Sequence, residues 1–335
     1  MSSSTSSSDS PVAGRSWRWQ VPVALLLIFG VLEIFTRTKL FNSSKDFRRF
    51  AGYPEKARHL EQRDGVRLAL MGNSATDRGV DLPTLQNTFA AAGAHVSADL
   101  FVADQSRINT WQFMLQKYFV TPGIRPDWVV VTFYEDDLQD GNTVEIGRLA
   151  QFFTSVRDWP SVFSVDLPDW SQRIEFMLGS FWATFAASER IRERALEALI
   201  PDFRPYTEAA NTAIYEHNRR RARATSASAS TAAPAHSLRA LQRLLRTGAD
   251  AGIRLAFVAY PTRTDSGRAQ YALAAETLQV LKDAGAPFFD LRHVDGLDGD
   301  AMYDDEVHLS AAGRIPYSKA LATALLPLTL QSAPR

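Results

Sequence analysis

From about residue 63 onward, short apolar runs alternate with amphipathic stretches, and this alternation strongly constrains the fold. The apolar runs have the length of buried strands: GVRLALM (65–71), HVSADLFVA (95–103), DWVVVTFY (127–134), IRLAFVAY (253–260) and APFFDLR (286–292). Helix-like stretches lie between and after them, over 82–93, 109–119, about 267–284 and about 311–326. Such alternation predicts an α/β fold, in which helices cover both faces of a parallel sheet.

Composition excludes several classes of function. The 335-residue chain has 37 Lys+Arg and 37 Asp+Glu, so it lacks the basic excess that nucleic-acid phosphates require. It has no Cys, which excludes disulfides, thiolate nucleophiles and Cys-based zinc sites. Chemistry must therefore come from hydroxyl, carboxylate, amide or imidazole groups. We expect no cofactor and no nucleic-acid partner.

The run VPVALLLIFGVLEIF, from Val21 to Phe35, is the longest apolar stretch near the N-terminus. A membrane span needs about 20 residues, a length that this run reaches if Trp17, Trp19 and Phe41 lie in the interfacial belts. A signal peptide and a buried core helix are the alternatives, but no Ala-x-Ala-like cleavage site follows the run. We therefore favour a transmembrane anchor.

The chain divides into unlike parts. We predict a disordered tail (1–14), the transmembrane anchor (15–41), a linker (42–62) and a catalytic domain (63–330) with a helical insertion at about 143–236. Within the insertion, the basic run HNRRRARA indicates a solvated helix face, and TSASASTAAPA has the composition of a flexible linker. Its tryptophans, Trp159, Trp170 and Trp182, are expected in the core or facing the membrane, with sugar stacking as the alternative.

Three segments carry residues that are capable of chemistry. The first is GNSATDRG, Gly72 to Gly79, directly after the first predicted strand. A turn there would present the Ser74 hydroxyl at the carboxyl edge of the sheet, where open α/β sheets bind ligands. The Ser74 N–H could face a developing oxyanion. The alternative is a turn with no function.

The second segment is YDDEVHLSAAG, Tyr303 to Gly313. Asp305 and His308 are three residues apart, so one turn of chain brings both side chains to one side. A serine nucleophile needs a base, and the base needs an acceptor that fixes its tautomer. The alternative is a solvated acidic loop with an incidental histidine.

The third segment is the strand end VVVTFYEDDLQDG, where apolar residues give way to Glu135, Asp136 and Asp137. Carboxylates at this position can bind a metal, cap a helix or order neighbouring loops. The acidic stretch DGLDGDAMYDDE does not match the spacing of an EF-hand, and we predict no metal site.

Together, these motifs resemble those of the SGNH (GDSL-type) hydrolase superfamily. A Gly-x-Ser turn follows the first strand, a strand end similar to Gly-x-Asn-Asp comes in the middle, and Asp-x-x-His precedes a terminal helix. The resemblance covers about residues 63–330 and implies a three-layer, flavodoxin-like sandwich. It also implies that Ser74 is the nucleophile, His308 the base and Asp305 the partner of the base.

The chain departs from the family pattern at the oxyanion hole. Asp136 occupies the position of the family's oxyanion-binding Asn, with Asp137 at the following Asp. An ionised Asp136 would repel an oxyanion, so it is protonated by burial, has another role, or leaves the donor to come from elsewhere. The family's second glycine is also missing from VADQSRIN, where Asp104, Gln105 and Ser106 are the candidates. We assign an oxyanion or site-shaping role to Asn73, Ser106, Asp136 and Asp137.

A single membrane segment ahead of such a domain resembles bacterial proteins of polysaccharide O-acetylation systems. This implies a single-pass inner-membrane protein with a periplasmic catalytic domain, a carbohydrate or other ester substrate and a membrane-bound acyltransferase as partner. The positive-inside rule disagrees, because more basic residues follow the anchor (Arg37, Lys39, Lys45, Arg48 and Arg49) than precede it (Arg15 and Arg18). The leading hypothesis is a serine esterase or O-acyltransferase, and the alternative is a non-catalytic carbohydrate-binding or assembly component.

Overall fold

The structure is a computed structural model that describes residues 17–140, 145–203, 205–206, 237–264 and 270–330. The predicted disordered tail, the HNRRRARA run and the Ser/Ala stretch all lie outside the described residues.

The strands are β1 (Val66–Gly72), β2 (Val96–Val102), β3 (Trp128–Phe133), β4 (Leu255–Ala259) and β5 (Phe288–Asp290). The principal helices are α1 (Trp17–Phe35), α2 (Lys45–Glu61), α3 (Ser74–Gly79), α4 (Leu82–Ala91), α5 (Ile108–Leu115), α6 (Trp170–Phe181), α7 (Ala183–Ala186), α8 (Ser188–Leu199), α9 (Arg239–Ala251), α10 (Ala275–Asp283) and α11 (Ala311–Leu330). Shorter helical turns cover Thr36–Leu40, Phe41–Ser43, Gln116–Val120, Ile146–Arg148, Leu149–Phe153, Val156–Asp158, Trp159–Ser161, Val162–Asp166 and Asp300–Met302.

The five strands form one parallel sheet in the order β2-β1-β3-β4-β5. This is the flavodoxin-like order, in which ligands bind at the carboxyl edge between β1 and β3. Alternate side chains of β3 enter two separate cores, since Val129 and Val131 face one cluster and Val130 faces the other. Helices α2, α5, α9 and α10 cover the first face, and α4 and α11 cover the second. The predicted three-layer α/β fold is confirmed.

Residues 42–62 form a helix over most of their length, where we predicted a linker. Helix α2 buries an apolar face consisting of Phe47, Phe50, Tyr53, Ala57 and Leu60. The Tyr53 hydroxyl donates to the Val102 carbonyl at 2.6 Å and accepts from the Val102 N–H at 2.8 Å, at the end of β2. The apolar residues recur at helical spacing and pack this segment against the sheet.

The helix predicted over about 267–284 is shorter in the structure, because α10 begins only at Ala275. Before it, the Tyr271 hydroxyl donates to the Tyr260 carbonyl at 2.9 Å, and Arg292 donates to the Tyr271 carbonyl at 2.6 Å. These contacts hold residues 270–274 against the carboxyl ends of β4 and β5 in a non-helical conformation. The part of the predicted helix over 267–269 lies outside the described residues.

Among the described residues, one helical segment is long and apolar enough to cross a membrane. It covers Trp19–Lys39, and only 6% of it is buried. Leu26 and Phe29 are 71% and 64% exposed, which is an arrangement that apolar surroundings favour. A signal sequence would meet the same criteria of length and composition.

Candidate active site

The turn after β1 places Ser74 at the carboxyl edge of the sheet. Gly72 has no room for a side chain, because a Cβ there would overlap the hydroxyl groups of Thr76 and Thr132. These two hydroxyls are hydrogen-bonded to each other, which ties α3 to β3. Ser74 is the first residue of α3, where a backbone N–H has no acceptor within its own helix. The Ser74 N–H is therefore available to a ligand at the edge of the sheet.

The Asn73 side chain is fully engaged in holding this turn. Its Oδ1 accepts the Ala75 N–H at 3.1 Å and caps α3. Its Nδ2 donates to Asp137 Oδ2 at 2.9 Å and to the Ser106 carbonyl at 3.4 Å. Because Asn73 is buried and both ends of its amide are occupied, it shapes the site and does not offer a donor to a substrate.

The loop before α11 brings His308 and Asp305 to Ser74. His308 Nε2 lies 2.9 Å from Ser74 Oγ, and His308 Nδ1 lies 2.7 Å from Asp305 Oδ2. With Nδ1–H donating to the carboxylate, Nε2 is free to accept the Ser74 hydroxyl proton. An antiparallel β-bridge between Tyr303 and Leu309 closes the loop that carries Asp305 and His308. The structure thus brings together Ser74, His308 and Asp305, the residues that the motif resemblance assigns as nucleophile, base and partner of the base.

Asp305 is held in its ionised form by hydrogen bonds. Partial burial acts to raise its pKa, but the side chain of His308 and the N–H groups of His308 and Val307 outweigh this effect. Both N–H groups donate to Asp305 Oδ1 at 2.8 Å. The pKa of Asp305 therefore lies well below its usual range, and the carboxylate can stabilise an imidazolium on His308.

The two aspartates after β3 have opposite environments. Asp137 is buried, and burial raises its pKa to about 7, although the Tyr134 N–H, Arg107 and the Asn73 amide act to lower it. The side chain of Asp136 is 52% exposed, and its carboxylate pairs with Arg107 Nη1 at 3.1 Å. The first of the three alternatives for Asp136 requires a buried side chain, and this one is not buried. Asp136 instead anchors the guanidinium of Arg107 beside the site.

The loop after β2 contains the glycine-like position that the sequence left open. Gln105 has φ = 55°, a left-handed conformation that is uncommon for a residue other than glycine, asparagine or aspartate. The Ser106 hydroxyl donates to the Ala103 carbonyl at 2.6 Å and accepts from Trp111 Nε1 at 2.7 Å. Ser106 therefore shapes the loop, and Gln105 has a left-handed backbone that glycine adopts more readily than glutamine. No signal in the sequence distinguishes Gln105 from its neighbours.

Two arginines that we did not predict as site residues contact this loop through Asp104. Arg49 on α2 pairs with Asp77 Oδ2 and with Asp104 Oδ1, each at 3.0 Å. Arg148 donates to the Asp104 carbonyl at 2.6 Å. Arg49 was counted with the basic residues that flank the anchor, but its charge is neutralised within the body of the protein. Long-range ion pairs of this kind leave no pattern in the sequence.

A groove of about 630 Å³ lies at the opposite, amino edge of the sheet, beside Ile253, Arg254 and Pro287. Its lining contains Arg and Asp side chains but no Ser, Thr or His, so it lacks a pairing of nucleophile and base. Among the described residues, no group of three or more His, Asp or Glu side chains is arranged to hold a metal ion. The edge that carries Ser74 is therefore the candidate active site.

Comparison with known proteins finds similarity only among solved structures. No protein-family model and no curated protein matches the chain. A mutant of Axe2, an acetyl-xylooligosaccharide esterase from Geobacillus stearothermophilus, has 11% identity and a TM-score of 0.37 over 80% of this chain and 95% of that chain. The acetyl xylan esterase AlAXEase has 12% identity and a TM-score of 0.37 over 77% and 99% of the two chains. At these values the similarity carries no argument about activity, which must be inferred from the side-chain geometry.

Proposed function

We propose that this chain is a membrane-anchored serine esterase or O-acyltransferase that acts on acyl esters, above all acetyl esters, of a carbohydrate. The observation that carries the proposal is the hydrogen-bonded line from Ser74 through His308 to Asp305, with distances of 2.9 and 2.7 Å. The resemblance of the three motifs to SGNH hydrolases supports the same assignment, and it supplies the carbohydrate ester as the substrate class.

In the proposed mechanism, Ser74 Oγ attacks the ester carbonyl while His308 Nε2 takes the hydroxyl proton. The tetrahedral intermediate collapses when the C–O bond to the sugar breaks, and His308 returns the proton to the departing alkoxide. The acyl group is then bound to Ser74 as an ester. In the second half, His308 removes a proton from the acceptor, which attacks the acyl carbonyl. The bond between the acyl carbon and Ser74 Oγ then breaks, and His308 returns the proton to Oγ. Water as acceptor makes the chain an esterase, and a sugar hydroxyl makes it a transferase.

The oxyanion needs donors other than the Asn side chain of the family. We infer that the Ser74 N–H is one donor, because it lies at the first position of α3. The loop at Gln105 is inferred to supply a second backbone N–H, since its left-handed conformation matches the role of the missing glycine. Arg107, held by Asp136 at 3.1 Å, would add positive charge beside the site. Asp136 and Asp137 then act by shaping the site.

The test measures hydrolysis of a chromogenic acetyl ester by the full chain and by two variants. We expect Ser74→Ala and His308→Ala each to lower kcat by about 10³-fold or more, as loss of a triad member does in serine hydrolases. Ser97→Ala and His59→Ala are the matched controls, because both positions lie away from the triad and the variants should keep native turnover. Native turnover in either triad variant would contradict the proposal.

A second candidate is a non-catalytic carbohydrate-binding or assembly component with the same fold. It is favoured by the Asn73 amide, which is occupied by Asp137 and Ser106, and by the carboxylate of Asp136 at the oxyanion-binding position. This candidate predicts binding of an acetylated glycan without formation of an acyl-enzyme. An acetyl-Ser74 adduct trapped from a chromogenic acetyl ester and detected by mass spectrometry would reject it.

For location, we propose a single-pass protein of the bacterial inner membrane, with its catalytic domain in the periplasm and a membrane-bound acyltransferase as partner. The apolar segment Trp19–Lys39 supports the anchor. The ion pairs of Arg49 remove one charge from the basic flank that would favour a cytoplasmic body. Digestion of the body by protease added to spheroplasts would support this orientation, and protection from that protease would contradict it.

A further inference from the structure

Helix α6 (Trp170–Phe181) presents an apolar stripe to its surroundings. Trp170, Ile174 and Phe181 lie on one face at helical spacing, and they are 68%, 39% and 61% exposed. The opposite face packs into the protein through Phe176 and Gly179, which are buried. A helix that packs one face into the core and exposes large apolar side chains on the other face is expected to have a further apolar partner at the exposed face.

The stripe continues past the end of α6, where Trp182 is 55% and Phe185 is 38% exposed. We call Trp170, Ile174, Phe181, Trp182 and Phe185 the apolar stripe. Indole and phenyl rings are the side chains that membrane proteins place at the level of the lipid headgroups.

The end of the apolar stripe is tied to the end of the candidate membrane helix. The Glu33 carboxylate accepts the N–H groups of Ala183 and Thr184 at 2.8 and 2.9 Å. Arg37 pairs with Glu33 at 2.7 Å and donates to the Phe181 carbonyl at 3.3 Å. Glu33 lies near the end of the apolar run, so these bonds hold the Phe181–Phe185 end of the stripe beside the end of that run. They also give a carboxylate at the membrane edge the partners that it needs.

We propose that the apolar stripe lies in the headgroup region of the membrane that α1 crosses, so that the lipid surface is its partner. The inference depends on α1 as a membrane span and is independent of the catalytic role of Ser74. The hydrogen bonds from Glu33 and Arg37 favour lipid over a separate protein, because they keep the stripe beside the bilayer whatever else is bound. The body is then attached to the membrane at two places, and its rotation about α1 is restricted.

The absence of native cysteine allows a direct test on the full chain. Trp170→Cys, Ile174→Cys and Phe181→Cys are each labelled with a nitroxide and reconstituted into vesicles of phosphatidylethanolamine and phosphatidylglycerol. Collisions with molecular oxygen, which concentrates in the bilayer, are compared with collisions with a water-soluble nickel chelate. Ser171→Cys is the matched control, because Ser171 is exposed on the same helix but lies about 60–100° around the helix axis from Trp170, Ile174 and Phe181.

We expect labels at the three stripe positions to collide more often with oxygen than with the nickel chelate, and the label at position 171 to show the reverse. All substituted side chains are exposed, so the variants should fold and the comparison should remain valid. Equal access of the nickel chelate to all four positions would overturn the proposal. Labels shielded from both reagents, or dipolar broadening between labels, would also overturn it, because they would indicate a protein partner or a second copy of this chain.

Discussion

Replacing Asp137 by asparagine tests whether this buried carboxyl holds a proton in the folded protein. Burial raises the pKa of Asp137 to about 7, whereas the ordinary value of 3.8 applies in the unfolded chain. Between these values the folded state keeps the proton and the unfolded state loses it, so rising pH favours unfolding. Between pH 5 and pH 7, Asp137 is protonated in the folded chain and ionised in the unfolded chain. Over these two pH units the free energy of unfolding should therefore fall by about 3 kcal/mol, at about 1.4 kcal/mol per unit.

The assay is urea unfolding of the detergent-solubilised full chain, followed by tryptophan fluorescence at pH 5 and pH 8. The native chain should lose about 3 kcal/mol more unfolding free energy between these pH values than Asp137→Asn, whose side chain has no proton to release. Asp250→Asn is the matched control, because the Asp250 side chain is exposed on α9 at the other end of the sheet, and this variant should retain the pH dependence of the native chain. A difference of less than about 1 kcal/mol between the native chain and Asp137→Asn would refute the reasoning.

Three further substitutions test the turn at Gly72, the carboxylate of Asp305 and the guanidinium of Arg107. Gly72→Ala should lower the free energy of unfolding by about 1–3 kcal/mol, because its methyl group would overlap two threonine hydroxyls; an unchanged urea midpoint would argue against this close approach. Asp305→Asn should lower kcat for an acetyl ester by about 10³–10⁴-fold with KM little changed, since the base loses the carboxylate that fixes its tautomer; near-native kcat would contradict this role. Arg107→Gln should lower kcat by about 10²-fold if the guanidinium stabilises the oxyanion, whereas a rise in KM alone would assign it to substrate binding.

The sheet was predictable because each strand is a short apolar run between polar turns. All five predicted strands are present, and their boundaries agree with the prediction to within a few residues. We predicted a linker where helix α2 lies; its five buried residues stand among charged ones, and the surfaces that they pack against come from distant segments. Tyr53 makes an interaction that the sequence pattern does not reveal, since its hydroxyl bonds to Val102, 49 residues along the chain.

The order of the site motifs was also readable from the sequence, because each follows the end of a strand or precedes a helix. The relative roles of the site residues could not be read from the sequence. Asp136 and Asp137 are adjacent in sequence, yet the first is exposed and the second is buried, and only the fold determines which one carries a raised pKa. The left-handed backbone of Gln105 is supported by contacts from Arg148 and Arg49 to Asp104, which come from distant segments.

Reaction of the full chain with a serine-reactive phosphonate tests the role of Ser74 most directly. The Ser74–His308–Asp305 geometry predicts one phosphonate per chain, attached to Ser74 and identified by peptide mass spectrometry. It also predicts no adduct in Ser74→Ala, and a much slower reaction in His308→Ala because the hydroxyl loses its base. A phosphonate attached elsewhere, no adduct on Ser74, or an unchanged rate in His308→Ala would contradict the assignment of Ser74 as an activated nucleophile.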